Sequence, residues 1–230
     1  MTASLDERAV KRFARCIAGG GVALFPADTV YGLACDPLQP RAVQRLYELK
    51  GRPPTQPAAV MFFALAPALQ ALPELGQRTR TALQALLPGA LTVLLANPAA
   101  RFSPAHTAST DTPRDRARDA AAPPRARGDE PALGLRVPRL PEPLAALGAL
   151  ELAVLQSSAN LSGGADARRL EEVPDSIRAA VDLVLDGGEL PGVASTVLDL
   201  RDYERAARWH VVRAGPVGIA ELERTLSRGS

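Results

Sequence analysis

The chain has 230 residues, 47% of them hydrophobic but only 4% aromatic, and a formal net charge of +2. That length suits one domain with room for an appendage, and its core must be built mostly from Ala, Leu and Val. The small charge does not by itself point to nucleic acid, no apolar run approaches the roughly 18 residues of a membrane span, and Cys16 and Cys35 offer neither a CxxC zinc pattern nor a disulfide framework.

Cysteine usage therefore fits a reducing, cytoplasmic setting, and residues 1–15 lack the apolar stretch of a secretory signal. Of 27 basic residues only Lys11 and Lys50 are lysine, which makes Lys50 an unusual choice where it occurs. The two histidines, His106 and His210, give little support to a histidine-dependent mechanism or a metal site.

In chain order, Ser4 is expected to cap a helix whose apolar residues Leu5, Val10, Phe13, Ala14 and Ile17 follow helical spacing, ended by Gly19, Gly20 and Gly21. Residues 22–25 read as a short strand closed by Pro26, residues 41–49 as a helix, and residues 58–63 as a buried strand. A helix over 79–87 ends at Pro88-Gly89, and a strand follows over 91–96. Residues 98–131 have one aromatic and no Leu, Ile or Val, too little apolar surface to offset ordering, and read as a mobile insertion. Beyond it come strands over 133–137, 152–156, 181–185, 196–200 and 209–213, and helices over 144–150 and 219–226. This alternation predicts an α/β fold around a mixed, twisted sheet.

No GxxxxGK[ST], GxGxxG or GxSxG motif is present. Polar clusters instead sit at the ends of apolar strands, where open α/β sheets place ligands. The stretch PADTVYGL, residues 26–33, offers Asp28, Thr29 and Tyr31, as ligand contacts or as a capped turn. KGRPPTQP, residues 50–57, sets Lys50 and Arg52 around a glycine, to grip a polyanion or to face solvent at a helix C-terminus. QSSANLSGG, residues 156–164, carries three serine hydroxyls and the Asn160 amide, as ligand contacts or as caps. Arg136 is the basic residue of the apolar strand LGLRV, and a guanidinium there needs an anionic partner, a ligand or a protein carboxylate.

Taken together, PxDTVYGL, KGRP, PGxLT, LxxRVP, SSANLSG, LDGG, STVxDL and a late VxRxG, in that order, resemble the YrdC-like threonylcarbamoyl-AMP synthase family. The resemblance implies a twisted mixed sheet flanked by helices around a large basic cavity, and a nucleotidyltransferase. Such an enzyme would make threonylcarbamoyl-AMP and pyrophosphate from L-threonine, bicarbonate and ATP, with Mg²⁺ accompanying ATP. It implies tRNA or double-stranded RNA as a further partner, and tRNA threonylcarbamoyl-transfer machinery downstream. By position, Lys50, Arg52, Gln56, Ser158, Asn160 and Arg213 would serve ATP, Lys50 and Arg52 being the catalytic cations. Thr29, Arg136 and Ser195 would hold threonine. The chain departs from the family pattern at Ala27, Gln56, Met61 and Ala132. Two other readings stand beside this one: a paralogue on the same fold with a different carbamoylation or nucleotidyl substrate, and an RNA-binding protein without catalysis. Against the second, the chain lacks interleaved aromatics for base stacking.

Overall fold

A computed structural model describes residues 4–51, 58–102 and 132–227. The first helix, α1 (Glu7–Ala18), is capped by Asp6 rather than Ser4, because the Asp6 carboxylate accepts the Ala9 N–H at 2.7 Å. It buries Val10, Phe13 and Ile17 on one face. The Phe13 ring packs 5.1 Å from Phe25 and edge-on to Phe63. Strands β1 (Ala23–Pro26) and β2 (Tyr31–Cys35) form a hairpin. The second half of the PADTVYGL stretch is therefore a fully buried strand and not turn. Helix α2 (Pro40–Lys50) starts on a proline, which suits a first-turn position, and leads towards β3 (Ala59–Phe62).

Two helices follow, α3 (Leu65–Ala71) and α4 (Gln77–Leu86), then β4 (Leu91–Ala96) and β5 (Ala132–Arg136). Only the second of these helices is foreshadowed by periodicity; α3 is seven residues long, with a single buried side chain, Ala68. The 144–150 region is a 3₁₀ helix, Glu142–Ala149, not an α-helix. Strands β6 (Ala153–Ser158) and β7 (Leu183–Val184) flank α5 (Asp175–Ala180). The chain closes with β8 (Thr196–Asp199), α6 (Tyr203–Ala206), β9 (His210–Arg213) and α7 (Ile219–Ser227).

All nine strands join one sheet in the order β7-β1-β2-β6-β3-β5-β4-β8-β9. It is mixed: β1·β7, β3·β5 and β4·β8 run parallel, and the other pairs antiparallel. Register sets Ala34, Gln156, Ala59, Gly134 and Leu94 in one row across five strands, and Val154, Met61 and Arg136 in the next. Because side chains alternate in a pleated sheet, these rows share one face. Small residues dominate the first row, so the face is floored low enough for the longer side chains of Gln156 and Arg136 to lie across it.

The insertion expected at 98–131 lies, beyond residue 102, outside the described residues. Its first residues are anchored. Asn97 exchanges two hydrogen bonds with the Arg101 backbone, Arg101 pairs with Glu74 at 2.9 Å, and the Phe102 ring meets Phe62 edge-on at 6.0 Å. Residues 98–102 are thus held against the fold. Phe102→Ala is expected to lower unfolding free energy by about 1 kcal/mol, read from urea denaturation, because a well-placed aromatic pair and its buried area are lost together; no change would show that the ring does not hold the segment.

Candidate active site

Arg136 ends β5 with 5% of its surface exposed. Its Nη1 donates to Gln156 Oε1 at 2.8 Å and its Nη2 to Asp28 Oδ1 at 2.7 Å, with Thr29 Oγ1 at 3.4 Å from the same nitrogen. The anionic partner that the sequence requires is thus, in this structure, a protein carboxylate. The Nε of Arg136 is buried and has no partner among the described residues. Burial pushes the Asp28 carboxyl above its ordinary range even though Arg136 opposes the shift. The same burial pulls the Arg136 guanidinium down, and Arg213 nearby pulls it further. Arginine stays protonated regardless. Both shifts say that desolvation outweighs mutual attraction, so the pair holds together without contributing much stability.

The turn that delivers Asp28 is tight. The Thr29 N–H donates to the Ala27 carbonyl at 3.1 Å, two residues back, and Asp28 between them has φ 74°. That is the geometry of a γ-turn of positive φ, which is rare and strained for any residue with a Cβ. Gln156, which in the sequence only introduces the serine cluster and so carries no signal of its own, is fixed from below by Gly32, where an added Cβ would meet Gln156 Nε2 at 2.7 Å. Tyr31 faces away from the site. Its hydroxyl lies 2.8 Å from Asp186 Oδ1 and accepts the Gly187 N–H at 3.0 Å, and burial keeps the phenol protonated. PxDTVYGL and LDGG are therefore one packed unit.

Lys50, expected among the nucleotide contacts, turns inward to the loop after β6. It is 2% exposed, and its ammonium donates to the Ser158 carbonyl, the Asn160 carbonyl at 2.9 Å and Asn160 Oδ1 at 2.8 Å. Ser158 Oγ donates to the same Oδ1 at 2.7 Å, and Asn160 Nδ2 to the Gly164 carbonyl. Lys50 thus does not extend into solvent at its helix end; it braces the loop after β6. Arg52 and Gln56 lie outside the described residues. At the other side of the face, Ser195 Oγ lies 2.8 Å from Thr92 Oγ1, and Arg213, on the sheet's edge strand, donates to the Ser195 carbonyl at 2.7 Å. Met61 is fully buried beside Arg136 in the register, and Ala132 begins β5.

The structure therefore brings Thr29 and Arg136 into contact, joins Ser195 to Arg213, and locks Lys50, Ser158 and Asn160 together. A cavity of about 670 Å³ touches this assembly only through Asp28 and Thr29. Among the described residues its charged lining is Asp28, Glu189, Glu221 and Arg139. The described residues contain no group of three or more His, Cys, Asp or Glu suited to a metal ion, and no helix long and apolar enough to cross a membrane.

A nine-stranded mixed sheet with these motifs gathered on one face defines the class. The chain matches the Sua5/YciO/YrdC family, described as telomere recombination, over residues 15–215, and it belongs to that family. It is 33% identical over 184 residues to a threonylcarbamoyl-AMP synthase of Xanthomonas campestris, covering 77% of this chain and 84% of the relative. It is 28% identical over 200 residues to one of Bacillus subtilis, covering 86% of this chain and 52% of that protein. Pyrococcus abyssi Sua5, solved in complex with L-threonine, superposes with a TM-score of 0.72 at 26% identity, over 96% of this chain and 58% of its own. The chain thus spans little more than half the length of the Bacillus and Pyrococcus proteins.

Lys50→Met keeps the length of the side chain but leaves three buried acceptors without their shared donor. Its unfolding free energy, measured by urea denaturation, is expected to fall by about 1–3 kcal/mol; parent-like stability would show that Lys50 does not brace the loop.

Proposed function

We propose that this chain is an L-threonylcarbamoyladenylate synthase, a nucleotidyltransferase acting in the cytoplasm on L-threonine, bicarbonate and ATP. The observation that carries the reading is Arg136: a buried guanidinium with an Nε unpartnered among the described residues, on a floor of small residues, beside Thr29 and near a second guanidinium, Arg213. Arg136 directly pairs one carboxylate, Asp28, with Asp166 acting on it from further off, and its Nε edge is suited to an amino-acid carboxylate. The threonine complex of the Pyrococcus relative supports the amino-acid half.

In the proposed reaction the threonine amine adds to bicarbonate, losing water, to form a carbamate. A carbamate oxygen attacks the α-phosphorus of ATP, the bond to the bridging oxygen breaks, and pyrophosphate leaves with that electron pair. Little covalent help is needed; orientation and charge neutralisation supply the rate. Arg136 holds the threonine carboxylate, with Thr29 and Ser195 against the rest of the molecule. By sequence position Arg213, beside Ser195 at the far side of the face, serves ATP together with Ser158 and Asn160, whose loop Lys50 positions. Arg52 and Gln56 belong to the same half by sequence position. Mg²⁺ enters as part of the MgATP substrate and neutralises phosphate charge, since Asp28, the carboxylate of this face, is engaged by Arg136. The adenylate is then passed to tRNA threonylcarbamoyl-transfer machinery, and tRNA or double-stranded RNA is a further partner of the reading.

The test is pyrophosphate release from ATP with bicarbonate and each amino acid in turn. L-Threonine is expected to support release above the others, and Arg136→Ala to lower kcat/KM for threonine by about 2–5 kcal/mol in transition-state terms, while ATP affinity stays near the parent value. Release that is independent of the amino acid, or a variant that loses ATP rather than threonine, contradicts the assignment.

A further inference from the structure

We infer that Asp28 is a built-in competitor for the substrate carboxylate, which the amino acid must displace from Arg136 in order to bind; the inference rests on the reading of Arg136 given above. Three observations meet at this residue. Asp28 Oδ1 occupies Arg136 Nη2 at 2.7 Å, and both side chains are almost wholly buried. Asp28 is held there at φ 74° by the two-residue Ala27–Thr29 hydrogen bond, a conformation that costs energy and relaxes when the turn opens. The same turn lines the cavity of about 670 Å³, whose wall also carries Arg139. A displaced carboxylate therefore has room in this cavity, whose charged lining sets Arg139 beside Glu189 and Glu221.

The adjacent Nε of Arg136, buried and unpartnered among the described residues, completes the argument. A guanidinium presents Nε and Nη2 along one edge, and a carboxylate bridging that edge makes two parallel hydrogen bonds. Asp28 makes only one of them. An incoming α-carboxylate that takes both replaces a single contact held under strain by a bidentate one. Ligands without a carboxylate lack the means to dislodge Asp28, so the device excludes them from the pocket. Gln156 stays on Nη1 and keeps the guanidinium plane in place during the exchange.

The inference is tested with Asp28→Asn, which keeps a side chain tolerant of positive φ but removes the competing charge. If Asp28 holds Arg136 about nine-tenths of the time, its loss raises affinity for L-threonine about tenfold by calorimetry, with ATP affinity unchanged. The variant is also expected to melt lower than the parent without ligand and to regain more melting temperature than the parent on adding L-threonine, because its buried guanidinium then lacks any anion. Equal or weaker threonine binding by the variant overturns the inference, whereas failure of parent and variant alike to bind threonine overturns the functional reading and the inference with it. Should the variant not fold, a crystal structure of the parent with L-threonine decides: the expected result is the ligand carboxylate on Arg136 and Asp28 turned towards the cavity, and an intact Asp28–Arg136 pair beside bound ligand refutes it.

Discussion

The burial of one guanidinium organises this face of the protein. Arg136 arrives on a central strand, and a charge so placed cannot be left uncompensated. Its neighbours are arranged accordingly: Gln156 from β6 takes one nitrogen, and the β1–β2 turn is bent into a strained conformation to bring Asp28 to another. The low floor made by Gly134, Ala59 and Ala34 leaves room for these side chains to lie flat. The compensation is incomplete, since Nε has no partner among the described residues and Arg213 adds positive charge. An incompletely satisfied buried cation is a costly feature for a fold and a useful one for a site that binds carboxylates.

The motifs that stand far apart in the chain hold one another in space. Tyr31 of the first binds Asp186 and Gly187 of LDGG, and Gly187 lies so close to Pro26 that a Cβ there would meet its ring at 2.6 Å. Lys50 is bonded into the loop of Ser158 and Asn160. Thr92, Ser195 and Arg213 form a third group. The motifs thus hold one another in place as well as lining one face.

This explains which features were legible. Strand β4 is read without error because its burial alternates with period two between fixed punctuation, Gly89 before it and Asn97 after it. The sheet and its mixed character follow from apolar runs set between helices. Arg136 was legible as a charge inside an apolar strand, and its need for an anion follows from electrostatics alone. What could not be read was the identity of that anion, because Asp28 is 108 residues away and reaches Arg136 only through a turn whose φ no periodicity reveals. The inward course of Lys50 was not legible for a related reason: a lysine at a helix C-terminus is usually solvated, and only the tertiary path of the loop after β6 turns it inward. Helix α3, short and with one buried residue, carries no amphipathic signal.

The central claim is that Arg136 recognises a carboxylate, and it is tested most directly by comparing L-threonine with L-threoninol, which has an alcohol in place of that group. Calorimetric titration of the parent protein with each is expected to give binding for threonine and none for threoninol at the same concentrations. Equal affinity for the two would mean that the carboxylate is not what the site reads, and that Arg136 serves only its internal partner, Asp28.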